Sequence, residues 1–435
     1  MRGADAVGAG RGPARVCVAA AVLAVALLVA LPARAQLVSV GEGPVSWELG
    51  GYLRSFSAMT EPGLAAPGEE TPQARHVDLL RLEHRFFLGP RVGVEVHNRL
   101  GWTQGPAQGA GIGVDVTPAP DRSLDLRTAL IDTDTTTLDH DVDRAVVRLW
   151  LDGADLAFGR QAITWGSAAL FTATDFWAPF APFELDDSQK RGIDAARAQV
   201  PLSPTTELEF VVADRGAARD VAAGVKVHHY GAVLDGWVGA ARLWEQVHVA
   251  GGLRGEIGSW TLRGEGTLPV RFEEATGARS PDTGVRPPRV TVGAERFSGD
   301  FVLMLEAHWN GEGVRNREDY LARSAEPDIG RGETFWLGRA YVGGTAAWLP
   351  VPDWILTAGS FVNVLDASAL LTAQVQHDVA ESVEVGLGWY GGVGRGSRLV
   401  FAESGTGEPF VAGVDIGSEF GLYGHTVFLQ VAAFF

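Results

Sequence analysis

The chain has 435 residues, 46% of them hydrophobic and 20% charged, with 56 Gly, 13 Trp and one Cys. Glycine at this level without a three-residue period excludes collagen, and the apolar fraction excludes a disordered chain. A formal charge of −17, from 36 Lys+Arg against 53 Asp+Glu with no basic cluster, argues against nucleic acid as a partner.

The N-terminus reads as an export signal. Arg2, Arg11 and Arg15 precede an apolar run from Val16 to Leu31, closed by the small-x-small triplet Ala33-Arg34-Ala35. The run is shorter than the roughly 20 residues that span hydrocarbon, so cleavage after Ala35 is expected rather than anchoring. Residues 1–35 are then a signal peptide and 36–435 a single domain. Removing four Arg and one Asp takes the formal charge from −17 to −20, and Cys17 leaves with them. Without thiols the exported chain has no disulfide and no Cys-ligated metal, and no cofactor is expected.

From there the dominant pattern is alternation with a two-residue period, the mark of strands with two unlike faces. Leu80, Leu82, Phe86 and Leu88 alternate with Arg81, Glu83 and Arg85. Val92, Val94, Val96, Leu100 and Trp102 oppose Glu95, His97 and Arg99. The split returns at Trp260, Leu262 and Leu268 against Arg263 and Glu265, and at Phe301, Leu303, Leu305 and Trp309 against Glu306 and His308. Val383, Val385, Leu387 and Trp389 oppose Glu384. A soluble sandwich also alternates, so the connections must decide. Short turns at Gly89-Pro90, Asp152-Gly153, Gly258-Ser259 and Ser298-Gly299-Asp300 interleave with long polar segments at 58–75, 104–142, 166–195, 272–287 and 311–332. Such asymmetry is expected of an antiparallel outer-membrane barrel with tight periplasmic turns and long outer loops. Trp102, Trp165, Trp260, Trp309, Trp348 and Trp354 fall near predicted strand ends, where they would form aromatic girdles.

At the C-terminus, Val427, Leu429, Val431, Ala433 and Phe435 share one face with Tyr423. This resembles the terminal strand signature of bacterial outer-membrane barrels, and the resemblance implies that Phe435 is read by the barrel-insertion machinery. An unpartnered N–H or C=O in hydrocarbon costs several kcal/mol, so a sheet in lipid must close on itself. At about 22 residues per strand and connection, the span 36–435 divides into roughly eighteen strands. The expected fold is therefore all-β, a transmembrane antiparallel β-barrel of about 16–18 strands with an inward-folded loop, and the stretch 397–435 leaves the count ambiguous. The expected location is the bacterial outer membrane, with lipid and lipopolysaccharide as neighbours.

Residues 154–195 depart from the pattern. Leu156 and Phe158 lead into Gly159-Arg160-Gln161-Ala162-Ile163-Thr164-Trp165-Gly166, then Thr174-Asp175-Phe176-Trp177-Ala178-Pro179-Phe180-Ala181-Pro182, then Asp186-Asp187-Ser188-Gln189-Lys190-Arg191-Gly192-Ile193-Asp194. Over about forty residues this succession resembles proteobacterial outer-membrane barrels of the porin and alginate-export type, which implies an exported barrel with a structured inward loop. Phe171, Phe176, Trp177, Phe180 and Phe183 make the segment too apolar to stand in water, so it is expected to pack inside the barrel. Its charges, with Arg160 beside them, suggest a constriction formed by Arg160, Asp175, Asp186, Asp187, Lys190, Arg191 and Asp194, where facing rows of opposite sign would orient a solute. The competing reading is that Arg160, Lys190 and Arg191 pair with Asp186, Asp187 and Asp194 to pin the loop.

Other constellations yield less. Asp132, Asp134, Asp139, Asp141 and Asp143 resemble a divalent-cation cluster, but Thr137 stands where a calcium loop needs glycine and no Glu closes the twelve-residue spacing. A solvated outer loop, bridged to lipopolysaccharide by loosely held cations, is the expectation there. His228 and His229 are adjacent and on a strand would point to opposite faces. Metalloprotease, nucleophile-elbow and phosphate-loop motifs are missing from the sequence, so no enzyme is expected. The leading expectation is a porin-like channel for passive passage of small hydrophilic or charged solutes, narrowed by the 166–195 loop. A plugged barrel with surface-loop binding or adhesion is the alternative, an outer-membrane barrel enzyme a third, and the oligomeric state stays open.

Overall fold

The computed structural model describes residues 38–41, 43–63, 71–105, 120–182, 184, 189–272, 284–403 and 409–435. The signal-peptide reading falls on residues outside that set, as do Asp186, Asp187 and Phe183. Eighteen strands form the barrel: β1 Val45–Thr60, β2 Gln73–Leu88, β3 Val92–Gln104, β4 Thr136–Leu151, β5 Ala154–Gln161 and β6 Ile193–Ser203. These are followed by β7 Thr206–Ala213, β8 Ala222–His229, β9 Leu234–Leu243, β10 Gln246–Ile257, β11 Trp260–Arg271 and β12 Arg289–Ser298. The set ends with β13 Phe301–Asn310, β14 Ala340–Trp348, β15 Trp354–Asn363, β16 Ser368–Ala380, β17 Val383–Val393 and β18 Thr426–Phe434. Each strand pairs antiparallel with the next, and β18 returns to β1 in the register Tyr52↔Phe434 to Thr60↔Thr426. Closure leaves no sheet edge to be solvated.

The alternation sorts side chains as the period requires. Val290, Val292, Phe301, Leu305 and Trp309 are exposed on the outside, while Arg289, Thr291, Glu306 and His308 are buried on the inside. This is a globular protein turned inside out, and the outer face fits hydrocarbon rather than water. Trp260, Trp348 and Trp354 lie at the short-turn rim as expected. Phe301 stacks on Trp348 there, with ring centroids 5.8 Å apart. Trp165 does not join the girdle: it is 3% exposed and lies inside the lumen. It lies past the end of β5 at Gln161, where the chain has already turned inward.

The short turns share one rim and the long loops the other, with two exceptions. Trp244-Glu245 joins β9 to β10, and residues 364–367 join β15 to β16, both on the long-loop rim. The ambiguous tail resolves into a separate hairpin, in which Arg398–Glu403 pairs only with Pro409–Asp415. A two-residue period marks a strand without saying which strand it pairs with, which is why this stretch left the count ambiguous; the barrel has eighteen strands, within the expected 16–18. Tyr423 lies outside β18, packed in the preceding loop against Phe420. The acidic run is only in part a solvated loop: Asp132 and Asp134 are exposed ahead of β4. Asp139, Asp141 and Asp143 belong to β4, where they meet Arg99 at 3.4 Å, Arg122 at 3.6 Å and Arg81 at 2.7 Å respectively.

A charge on the outer face should be costly. Leu305→Arg, placed in mid-strand, is expected to destabilise the barrel by about 2–4 kcal/mol in lipid. Denaturant unfolding in bilayers measures it, and a neutral result would remove the lipid-facing assignment.

Candidate functional site

The connection from β5 to β6, residues 162–192, folds into the barrel without regular secondary structure over its described part. A buried segment of this kind brings backbone N–H groups that need partners. Two carboxylates on the inner wall supply them. Glu265 on β11 accepts from the amides of Ser167 at 2.5 Å, Ala168 at 3.0 Å, Ala173 at 2.7 Å and Thr174 at 3.2 Å. Glu306 on β13 accepts from Ala169 at 2.8 Å, Leu170 at 2.9 Å and Phe171 at 3.0 Å. Such charge-assisted bonds are roughly twice as strong as neutral ones. The sequence put both residues on the polar face of their strands but gave no sign of this role.

Aromatic side chains fix the same loop. Trp165, Phe176 and Trp177 pack among Val211, Ala213, Ala222, Ala241 and Ala250, small side chains on the wall that leave room for them. Trp165 also donates through Nε1 to Glu209 at 3.3 Å. On the far side, Phe171 is fully buried against His308, Trp336, Tyr341 and Phe361. Gly343, beside Glu306 in the register, admits this ring: a Cβ there would come within 2.8 Å of it. Phe180 is only partly buried and faces the lumen cavity.

The charged residues expected at a constriction separate into groups. Arg160 on β5 grips Asp194 on β6 through bonds of 2.7 and 2.9 Å, and donates to the carbonyls of Val142 and Leu124 at 2.8 and 2.5 Å. Lys190 lies 2.5 Å from Asp175 and donates to Thr164 at 2.8 Å. Burial pushes the Asp175 carboxyl above and the Lys190 ammonium below its ordinary range, while their mutual attraction opposes both shifts. Arg191 lines a narrow cleft near Trp244 and Arg331, away from that pair. Thus Asp175 and Lys190 meet at one point, Arg160 and Asp194 at another, and Arg191 at a third.

A cavity of about 640 Å³ remains between the loop and the wall of β14–β17. Its wall side carries Thr345, Thr357, Thr372, Gln374 and Tyr390, and its loop side Thr164, Thr172, Asp175, Phe180 and Lys190. Another stretch of wall, β2–β4, is charged. Arg81 there donates to Glu83 at 3.0 Å and Asp143 at 2.7 Å and sits 2.8 Å from His97 Nδ1.

The outer loops are tied to the barrel through Glu419. It accepts from Tyr341 at 2.6 Å, Asn363 at 2.6 Å and the Leu337 amide at 2.9 Å. Burial raises its carboxyl to about 7.

Two outcomes follow from these contacts. Replacing Glu265 and Glu306 together by Ala should release the inward loop, leaving buried amides unpartnered at about 1–3 kcal/mol each and widening the lumen; thermal unfolding and single-channel conductance read the two effects. For Glu419, the folded state binds the proton more tightly than the unfolded chain, so stability is expected to fall as pH rises from its ordinary range near 4.5 to about 7 and then to level. Glu419→Gln should flatten that slope in pH-dependent melting, and an unaltered slope would assign it to another group.

No protein-family model and no curated protein matches the sequence. Solved structures do match in shape. The outer membrane protein OpdK from Pseudomonas aeruginosa superposes with a TM-score of 0.52 at 11% identity, covering 89% of this chain and 98% of that one. OccAB4 from Acinetobacter baumannii gives 0.52 at 9% identity with the same coverage. A BenF-like porin from Pseudomonas fluorescens Pf-5 gives 0.53 at 10%, again covering 89% and 98%. The chain therefore has the closed barrel fold of outer-membrane porins.

Proposed function

We propose that this protein is an outer-membrane channel through which small hydrophilic solutes diffuse passively, narrowed by the loop of residues 162–192. The observation that carries the reading is the loop itself: it is fastened inside the lumen by Glu265 and Glu306 and still leaves a cavity beside it whose lining mixes polar and apolar side chains. Pinned segments and wet walls suit a filter, in which pore diameter and lining groups set what passes. The porin fold of the structural neighbours supports the same conclusion, and supports a channel over an enzyme.

The proposal has several parts. Residues 1–35 act as a cleaved export signal and 36–435 form the single barrel domain. Phe435, whose amide bonds to the Gly51 carbonyl at 3.0 Å beside the barrel seam, serves as the insertion signal. The 154–195 succession carries a kinship to alginate-export barrels as well as porins, and the channel can work alone or as an oligomer. At the constriction, Asp175 with Lys190 and Arg160 with Asp194 hold the loop, while Asp186, Asp187 and Arg191 supply charge along the path.

Planar-bilayer recording tests this directly. Folded protein is expected to give unitary current steps, and neutralising Asp186 and Asp187 together should lower the cation-to-anion permeability ratio. Absence of steps from protein shown to be folded would favour a plugged barrel.

A further inference from the structure

The lumen is chemically lopsided. The strands β1–β4 carry Arg54, Arg75, Arg81, Arg85, Arg99, Arg144 and Arg148, whereas the five consecutive strands β14–β18 contain no Lys or Arg at all. On that second side the inward positions flanking the cavity are hydroxyls and amides. Thr357 stands opposite Gln374 in the register, and Thr372 stands opposite Tyr390. Thr345 on the neighbouring strand joins them at the cavity wall. Among the described residues, Thr345, Thr357, Thr372 and Gln374 make no side-chain hydrogen bond to the protein, and all four are partly exposed.

We propose that this cavity is a transit site for neutral, hydroxyl-rich solutes of sugar size. The inference rests on the channel reading and names its solute class. A polyol that leaves water must replace bonds it both donated and accepted, and threonine hydroxyls and a glutamine amide do both. Among the described residues an ion entering the same space loses hydration and meets no free counter-charge, because Lys190 and Asp175 neutralise each other at 2.5 Å and Glu184, the remaining charged residue at the cavity, has its own partner. Phe180 and Tyr390, both partly exposed at the cavity, add aromatic surface for the C–H groups of a sugar. The volume of about 640 Å³ lies within the range of small-molecule sites.

Tracer flux into proteoliposomes compares glucose, gluconate and glucosamine, which share one six-carbon skeleton and differ in charge. Glucose is expected to enter faster than either charged analogue. The variant T357V/T372V/Q374L should slow glucose about fivefold relative to potassium chloride conductance measured on the same protein, the effect of losing roughly one net hydrogen bond. T357S/T372S, which keeps the hydroxyls, should preserve glucose flux. Gluconate entering as fast as glucose, or unchanged glucose flux in the apolar variant, would overturn the assignment. Wild-type protein that conducts potassium chloride but excludes glucose defeats this site alone, whereas protein without any conductance defeats the channel reading beneath it.

Discussion

Seven backbone amides and two carboxylates decide what this barrel can be. An eighteen-stranded cylinder is wide enough to hold water, and what occupies the middle determines its use. Here the occupant is a loop whose amides would be unpaired if it stood alone in the lumen. Glu265 and Glu306 meet those amides from two strands separated by β12, so the loop is fastened across a breadth of wall rather than at one point. Aromatic burial then adds to a position already fixed by charge: Trp165, Phe176 and Trp177 enter a wall of alanines, and Phe171 enters the space left by Gly343. Neither device works without the other. Carboxylates alone would orient the backbone but leave the rings in water, and rings alone would leave the amides dry and unsatisfied.

The loop also divides the lumen chemically. Its body lies against the middle strands, and its open side looks toward β14–β17, which present threonine, glutamine and tyrosine. Farther round the wall, β2–β4 hold arginines and carboxylates that largely satisfy one another, with Arg81 joined to Glu83 and Asp143. Strongly paired charges stiffen a wall more than they attract ions, because their fields cancel at short range. The net acidity of the chain therefore says little about what passes through it.

Much of the architecture was legible because it is periodic. Alternation at 80–88, 92–102, 260–268, 301–309 and 383–389 placed the correct residues inside and outside, and the contrast between turns and loops placed the two rims. Errors arose wherever a local pattern has two tertiary outcomes. Trp165 reads in the sequence as a strand-end girdle residue, yet it follows the end of β5 on a chain that has turned inward. The residues 398–415 alternate like barrel strands and pair only with each other. Asp139, Asp141 and Asp143 read as part of a solvated outer loop and are instead distributed along β4 beside arginines. In the inward loop, the burial of Phe171, Phe176 and Trp177 was foreseeable from their density, since no outer loop keeps so many rings in water.

By itself, then, the sequence determined the class of object: an antiparallel cylinder with one apolar and one polar face, long loops on one rim, and an aromatic-rich segment that must leave the solvent. These are properties of neighbouring residues, set by strand period and turn chemistry. The tertiary structure alone decided which wall receives that segment and which is left bare. Ser167 and Glu265 are 98 positions apart, and Leu170 and Glu306 are 136 apart. No periodicity links residues so distant, because their meeting depends on barrel circumference and strand register, which exist only once the sheet has closed.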